Sequence, residues 1–385
     1  MTLARGAAAG VVLFVLAAFV PVAAWAYEYL PTAQPAEWET LATGLPEEYR
    51  VGPIYGFRYN RVDGPAPTIG LAARNEENPL PLLRANATYA FSRERLLAEF
   101  GADVPLGRHR HVTIGASAYR RTASEDAWIV GETENTIFAL LSRKDFRDYY
   151  EAEGFEGHVV VEPGRDAAFS AGARLEDHRP LDVETRVAVW GVDDRFRANP
   201  AIDPGEEGLV WGSFRVGPAT IPAKGGSRVV VRYERAGVPI ERDFEYGRVL
   251  VQGNFRQRLA PGQGFRARAI VASTRSGRLP AQKVWDLGEI GTLRGQPFKA
   301  LSGDQFYLVN AEYSYLFRKN LHALLFVDGG TAWFGRGAWN ESRLVLDGGI
   351  GLRVAEGPAT ITLARNLQRS DAPFLVGVRL GGTWE

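Results

Sequence analysis

The chain has 385 residues, no cysteine, and 45 basic residues balanced by 45 acidic ones. That length fits two soluble domains or one large barrel. The zero net charge gives no electrostatic case for nucleic acid or for an acidic substrate, and the missing cysteines exclude disulfides and cysteine-ligated metals.

Residues 1–26 read as a signal peptide. Arg5 supplies the positive start, Ala7 to Ala23 an apolar run, and Ala24-Trp25-Ala26 a small-x-small cleavage site before Tyr27. A retained membrane anchor is the alternative, since the run is near the length of a short span. Residues 27–66 contain Pro31, Pro35, Pro46, Pro53 and Pro65 and read as a periplasmic lead-in or partial plug, with Tyr55 to Val62 alternatively extending the first strand.

Residues 67–385 alternate with a period of two. Leu83, Ala85, Ala87, Tyr89 and Phe91 oppose Arg84, Asn86 and Thr88, and Phe265, Ala267, Ala269 and Val271 oppose Arg266 and Arg268. A strand has two faces, so this pattern demands one apolar and one polar environment. Charges recur in mid-strand and aromatics near strand ends, which favours lipid outside and water inside over a soluble β-sandwich. The expected fold is therefore all-β: a closed transmembrane antiparallel barrel of about 16 strands, with a long loop before the last five. In this reading 135–143 is the fifth strand and 373–384 the last. Residues 144–153 form a short amphipathic helix in an outer loop, and Ser92-Arg93-Glu94 is a short periplasmic turn, as are Pro163-Gly164-Arg165, Ala260-Pro261-Gly262, Arg318-Lys319 and Glu356-Gly357-Pro358. Long connections fall at 178–207, 275–303 and 332–341, while 121–134 is long for the periplasmic side.

Catalytic patterns are absent: there is no Gly-x-Ser-x-Gly, P-loop or His-Glu-x-x-His. The His109/His111 pair lacks a nearby carboxylate or cysteine partner, and His158 and His178 lie at different strand ends. Asp145, Asp148, Glu151 and Glu153 read as a solvated acidic loop face. No cofactor and no metal is expected. Inward Arg84, Arg174, Arg228, Arg232, Arg266 and Arg268 would bias an open pore toward anions, with inward acids opposing them.

Within the last third, Leu293-Arg294-Gly295 precedes Phe326-Val327-Asp328-Gly329-Gly330, then Asp347-Gly348-Gly349-Ile350-Gly351-Leu352-Arg353 and Thr362-Leu363-Ala364-Arg365. This stretch, roughly 285–385, resembles the barrel of the BamA/TamA-type (bacterial surface antigen) family, and Gly56 to Val62 resembles the lead into its first strand. The resemblance implies that the long loop folds back into the lumen. Strand parity points Asp328, Glu312 and Asp347 inward, and an arginine excluded from water needs a carboxylate that its planar fork can bind bidentately. Arg294 with Gly295 is thus the expected lumen anchor, on Asp328 first and on Glu312 or Asp347 second. Gln296 stands where the family usually has an aromatic residue. About 40 residues between the cleavage site and the barrel are too few for a POTRA module, so none is expected.

The functional expectation is a non-enzymatic barrel of the bacterial outer membrane, acting in protein or lipid insertion or translocation. Its partners would be outer-membrane lipid, the barrel-assembly machinery during biogenesis, and a protein or lipid client. A passive pore or structural surface antigen is the alternative, and a barrel lipase or protease a third. Phe374, Val376, Val378, Leu380 and Trp384 share one face of the final segment and form the expected assembly signal.

Overall fold

The structure, a computed structural model, describes residues 49–75, 78–106, 111–190, 195–337, 344–354 and 359–380. The expected signal peptide, residues 27–48 of the lead-in, His109 and Trp384 lie outside them.

Sixteen strands form one antiparallel sheet: β1 (Tyr49–Asn60), β2 (Gly64–Asn75), β3 (Asn78–Ala90), β4 (Arg95–Leu106), β5 (Val112–Ala123), β6 (Tyr150–Gly164), β7 (Ala167–Pro180), β8 (Gly205–Val216), β9 (Gly225–Ala236), β10 (Tyr246–Ala260), β11 (Gln263–Gly277), β14 (Gln305–Arg318), β15 (Leu321–Trp333), β16 (Val345–Val354), β17 (Ala359–Asn366) and β18 (Leu375–Leu380). Each pairs with its neighbour in chain order. β12 (Trp285–Leu287) and β13 (Leu301–Gly303) form a separate small ladder in the connection between β11 and β14. Among the described residues β1 and β18 are the two ends of the sheet order, with no ladder between them.

The two faces are inverted relative to a water-soluble sheet. Tyr55, Ile69, Phe155, Leu325 and Val376 are each well over half exposed, whereas Asn310, Asp328 and Asp347 are fully buried. A soluble sandwich would bury the first set. An apolar outer face around a polar interior is instead the signature of a lipid-facing barrel.

Three expectations need correction. Residues 49–66, assigned to the lead-in, form β1 and the start of β2. The prolines there misled: Pro53 and Pro65 both sit within the β1–β2 pairing, and edge strands and strand starts tolerate proline. Second, 135–143 is not a strand. Glu132–Ser142 is an α-helix, α1. Its apolar stretch is too short for periodicity to separate helix from strand. Glu132 and Glu134 complement the positive end of the helix dipole, and Arg143, in the left-handed region, donates its N–H to Ala139 O to close it. Third, 144–153 is not a helix, since β6 begins at Tyr150.

One strand gained and one lost leave the count unchanged but shift the parity between them. The turn around Ser92-Arg93-Glu94 therefore lies at the long-loop end, where Ser92 N–H donates to Asp63 O in the β1–β2 turn. The length of the β5–β6 connection, awkward for the short-turn end, is explained in the same way. If β1 is a wall strand, deleting residues 49–62 should abolish the heat-modifiable gel species of an assembled barrel. Normal migration of the deletion variant would return this segment to a lead-in.

Candidate functional site in the barrel interior

The β11–β14 connection carries the site. It runs inward through a 3-10 turn at Ala281–Lys283, crosses the interior in tight turns, and returns through β13. Register explains what it meets. Asn310, Asp328, Asp347 and Asn366 are directly paired across β14, β15, β16 and β17, so one inward row presents four polar side chains at the same level.

Arg294 docks on this row. Its Nε donates to Asp328 Oδ2 and its Nη2 to Asp328 Oδ1, both at 2.7 Å, a bidentate fork. Nη1 donates to Glu312 Oε2 at 3.3 Å, and the guanidinium lies 3.4 Å from the centroid of the Phe326 ring. Glu312 also holds Arg353, at 2.5 Å. Asn310 Nδ2 donates to Asp328 Oδ1 at 2.8 Å and to Thr292 O, while Arg268 donates to Asn310 Oδ1. Burial opposes the charge on Arg294, but Asp328 and then Glu312 outweigh it and raise its pKa.

The adjacent peptide binds as well. Gly295 N–H donates to Asp347 Oδ2 at 3.0 Å and Gln296 Nε2 to Asp347 Oδ1 at 2.6 Å. Gln296, where the sequence resemblance implies an aromatic residue, thus makes a polar contact instead. A Cβ on Gly295 would fall 2.6 Å from Arg365 C and 2.7 Å from Asp347 Cγ, so only glycine lets the loop lie this close to the wall. The structure brings Arg294, Gly295, Asp328, Glu312 and Asp347 together in one buried cluster.

A second cluster, not anticipated from sequence, fastens the base of the same loop. Lys283 Nζ lies 2.7 Å from Glu125 Oε1 and 3.7 Å from Glu207 Oε1. Arg248 bridges Glu125 and Glu234, and Arg174 bridges Glu176 and Glu207. Glu176, His178 and Glu207 present ligand atoms within 4.8 Å of one another. Arg174, Lys283, Tyr119 and Tyr246 already engage those carboxylates, so a cation would have to displace two protein cations, and the cluster reads as an ion-pair lattice. Burial alone would raise the Glu125 pKa, but Lys283 and Arg248 reverse this and hold it well below the usual value.

Further along the loop, Lys299 Nζ contacts Asp148 at 2.6 Å, Asp126 at 2.9 Å and Asp286 at 3.1 Å. Asp145, Asp148 and Glu151 are therefore not a solvated face. Asp145 pairs with buried Arg61, Asp148 with Arg61, Arg197 and Lys299, and Glu151 with Arg93 and Arg120. Of the inward arginines, Arg84 is compensated by Glu99, Arg174 by Glu176 and Glu207, and Arg232 by Glu234. His158 pairs with Asp103 and His178 with Glu176. Of the final-segment residues, Phe374 and Val376 are exposed, and Val376 and Val378 pair with outward Leu363 and Ile361.

Lysine and acid positions in loops carry no parity, so sequence could not pair Lys283 or Lys299 with their partners. Asn310 was legible in principle, since it shares the strand face of Glu312.

Removing Arg294 leaves Asp328 a buried carboxylate without its cation, so Arg294→Ala should destabilise by roughly 3–5 kcal/mol, and Asp328→Ala, which leaves Arg294 the 3.3 Å Glu312 contact, should cost somewhat less. The double variant should lose clearly less than the sum, as read by urea titration of the gel-shifted species. Strict additivity would mean that the pair is not coupled. Acidity gives a separate check. A carboxyl depressed in the fold contributes stability above its unfolded pKa and loses it as pH falls through the folded one. The Glu125 tie should thus survive to below about pH 4, and loop proteolysis appearing already at pH 6 would contradict it.

Residues 47–209 match the sequence model of the C-terminal domain of a family of unknown function, DUF5686. No curated protein matches the chain. Among solved structures, the chain is similar to BamA from Haemophilus ducreyi lacking POTRA domains 1–3, with a TM-score of 0.58 and 12% identity, covering 89% of this chain and 73% of that one. It also matches CdiB from Acinetobacter baumannii (TM-score 0.45, 15% identity, 87% of this chain and 60% of that one) and CdiB from Escherichia coli (0.48, 14%, 88% and 63%). The chain thus spans less than two thirds of either CdiB. At 12% identity the likeness to BamA speaks for architecture alone, and the sixteen-stranded antiparallel sheet of the described residues agrees with it: the fold of this chain is that of the BamA/TamA-type barrels.

Proposed function

We propose that this protein is a barrel of the bacterial outer membrane that inserts or translocates a protein or lipid client, without enzymatic chemistry of its own. The observation that carries the reading is the inward loop fastened to the wall through Arg294 and Asp328. A static pore needs an open aqueous path, whereas here a long loop crosses the interior and is tied at Lys283, Arg294 and Lys299. The fold shared with BamA supports the same reading. Outer-membrane lipid would contact the apolar outer face, the barrel-assembly machinery would receive the final strand, and the client would engage the interior or the sheet edges.

The test is depletion combined with reconstitution. Loss of the protein should produce a defect in outer-membrane protein assembly or lipid delivery, and the purified barrel should conduct poorly in liposomes. Steady conductance with no assembly or lipid defect would favour a passive pore instead. Lipid contact is checked separately by Val271→Arg on the exposed face of β11. It should cost roughly 2–4 kcal/mol if Val271 lies near the bilayer midplane. A neutral effect would place that face in water.

A further inference from the structure

We propose that α1 is a clasp across the seam between β1 and β18, held in place by the inward loop through Lys299. Edge strands present unpaired backbone groups and are normally paired, covered or blunted. Here the cover is a helix from the β5–β6 connection. Thr136 Oγ1 accepts from Tyr59 N–H of β1 at 3.1 Å. Two residues earlier, on the other side of the helix, Glu134 Oε1 accepts from Leu380 N–H of β18 at 2.6 Å and from Arg379 Nε at 2.9 Å. Two side chains of one helix therefore stand where the neighbouring strand's carbonyls would stand. Glu134, Asn135 and Thr136 are all buried, so this is not an exposed loop brushing a sheet edge.

The contact is polar where it meets the two strand edges, with Glu134 on Arg379, Thr136 on Tyr59 and a longer Arg58–Glu132 contact at 3.9 Å, and a small apolar cluster of Tyr59, Ala139 and Leu140 backs it on the β1 side. A polar cavity of about 30 Å³, lined by Arg58, Tyr59, Glu132 and Thr136 among others, lies between helix and strand, large enough for a water molecule. Solvent is thus positioned to take over these hydrogen bonds when the helix leaves.

What holds the helix is the segment around it. Asn135 donates to Asp145 and to Tyr149 and accepts from Phe146 N–H, which fixes α1 to residues 145–149. Lys299 of the inward loop then grips Asp126 before the helix and Asp148 after it. Gly291 of the same loop, with φ of +74°, sits so close that a Cβ there would fall 2.4 Å from Ile129 O and 3.1 Å from Arg379 Nη1. Inward loop, clasp and β18 meet at this point, so displacing the loop removes the support of the helix at the seam.

Amide exchange on the full chain in lipid nanodiscs tests this. In the unaltered protein the Tyr59 and Leu380 amides should be protected. In Glu134→Ala/Thr136→Ala both should exchange at least tenfold faster, with β6–β10 unchanged. In Lys299→Met the same two amides should accelerate. Free exchange at both sites in the unaltered protein, or no change in the double variant, would overturn the clasp. An unchanged seam in Lys299→Met would overturn its control by the loop. Should the double variant fail to fold, Thr136→Val alone removes one acceptor with little change in shape. Faster exchange at Tyr59 then supports the clasp, and an unaltered rate rejects it.

Discussion

A barrel that turns its apolar side chains outward must place its charges inside, and charges withdrawn from bulk water need partners. That constraint organises the interior. Each buried cation meets carboxylates or amide oxygens from other elements: Arg61 from the β1–β2 turn, Arg174 and Arg248 from the wall, Lys283, Arg294 and Lys299 from the inward loop. Such pairs add little net stability compared with well-packed apolar groups, but each is costly to break on one side only. The interior is therefore specified by who pairs with whom rather than by how much surface is buried.

The fold was legible where alternation ran long. From β2 onward most wall strands announce themselves, because two-faced environments leave a two-residue rhythm in the sequence. The rhythm failed where it was shortest. The run Ile137-Phe138-Ala139-Leu140-Leu141 fits a strand or a helix equally, and only the tertiary setting, with Thr136 and Glu134 drawn to two sheet edges, decides it. β1 was obscured for a different reason: proline signals a break in a central strand but is tolerated at an edge.

The candidate site divides along the same line. Asp328, Glu312 and Asp347 could be oriented from parity because they lie on strands, and Arg294 could be found because it sits in a motif. The ties at Lys283 and Lys299, and the role of Asp148 as a shared acceptor for three cations, depend on how distant loops fold over one another. No local pattern encodes that. The acidic stretch at 145–153 looked like a solvated surface for the same reason, since its partners come from as far away as Arg61 and Lys299.

The bond between Glu134 and Leu380 also says something about the order in which the molecule can be made. Its two ends are separated by 246 positions in the chain, and Arg294 reaches forward to strands that follow it. Neither tie can form while the chain is still emerging in order, since each waits for later strands. Contacts of such long range carry a large loop-closure cost before they are rewarded. The central hairpins, whose pairings are local, can assemble early. The seam and the inward loop must come last and together, so a late-stage intermediate would be a nearly complete sheet with its interior still wet and its two edges apart.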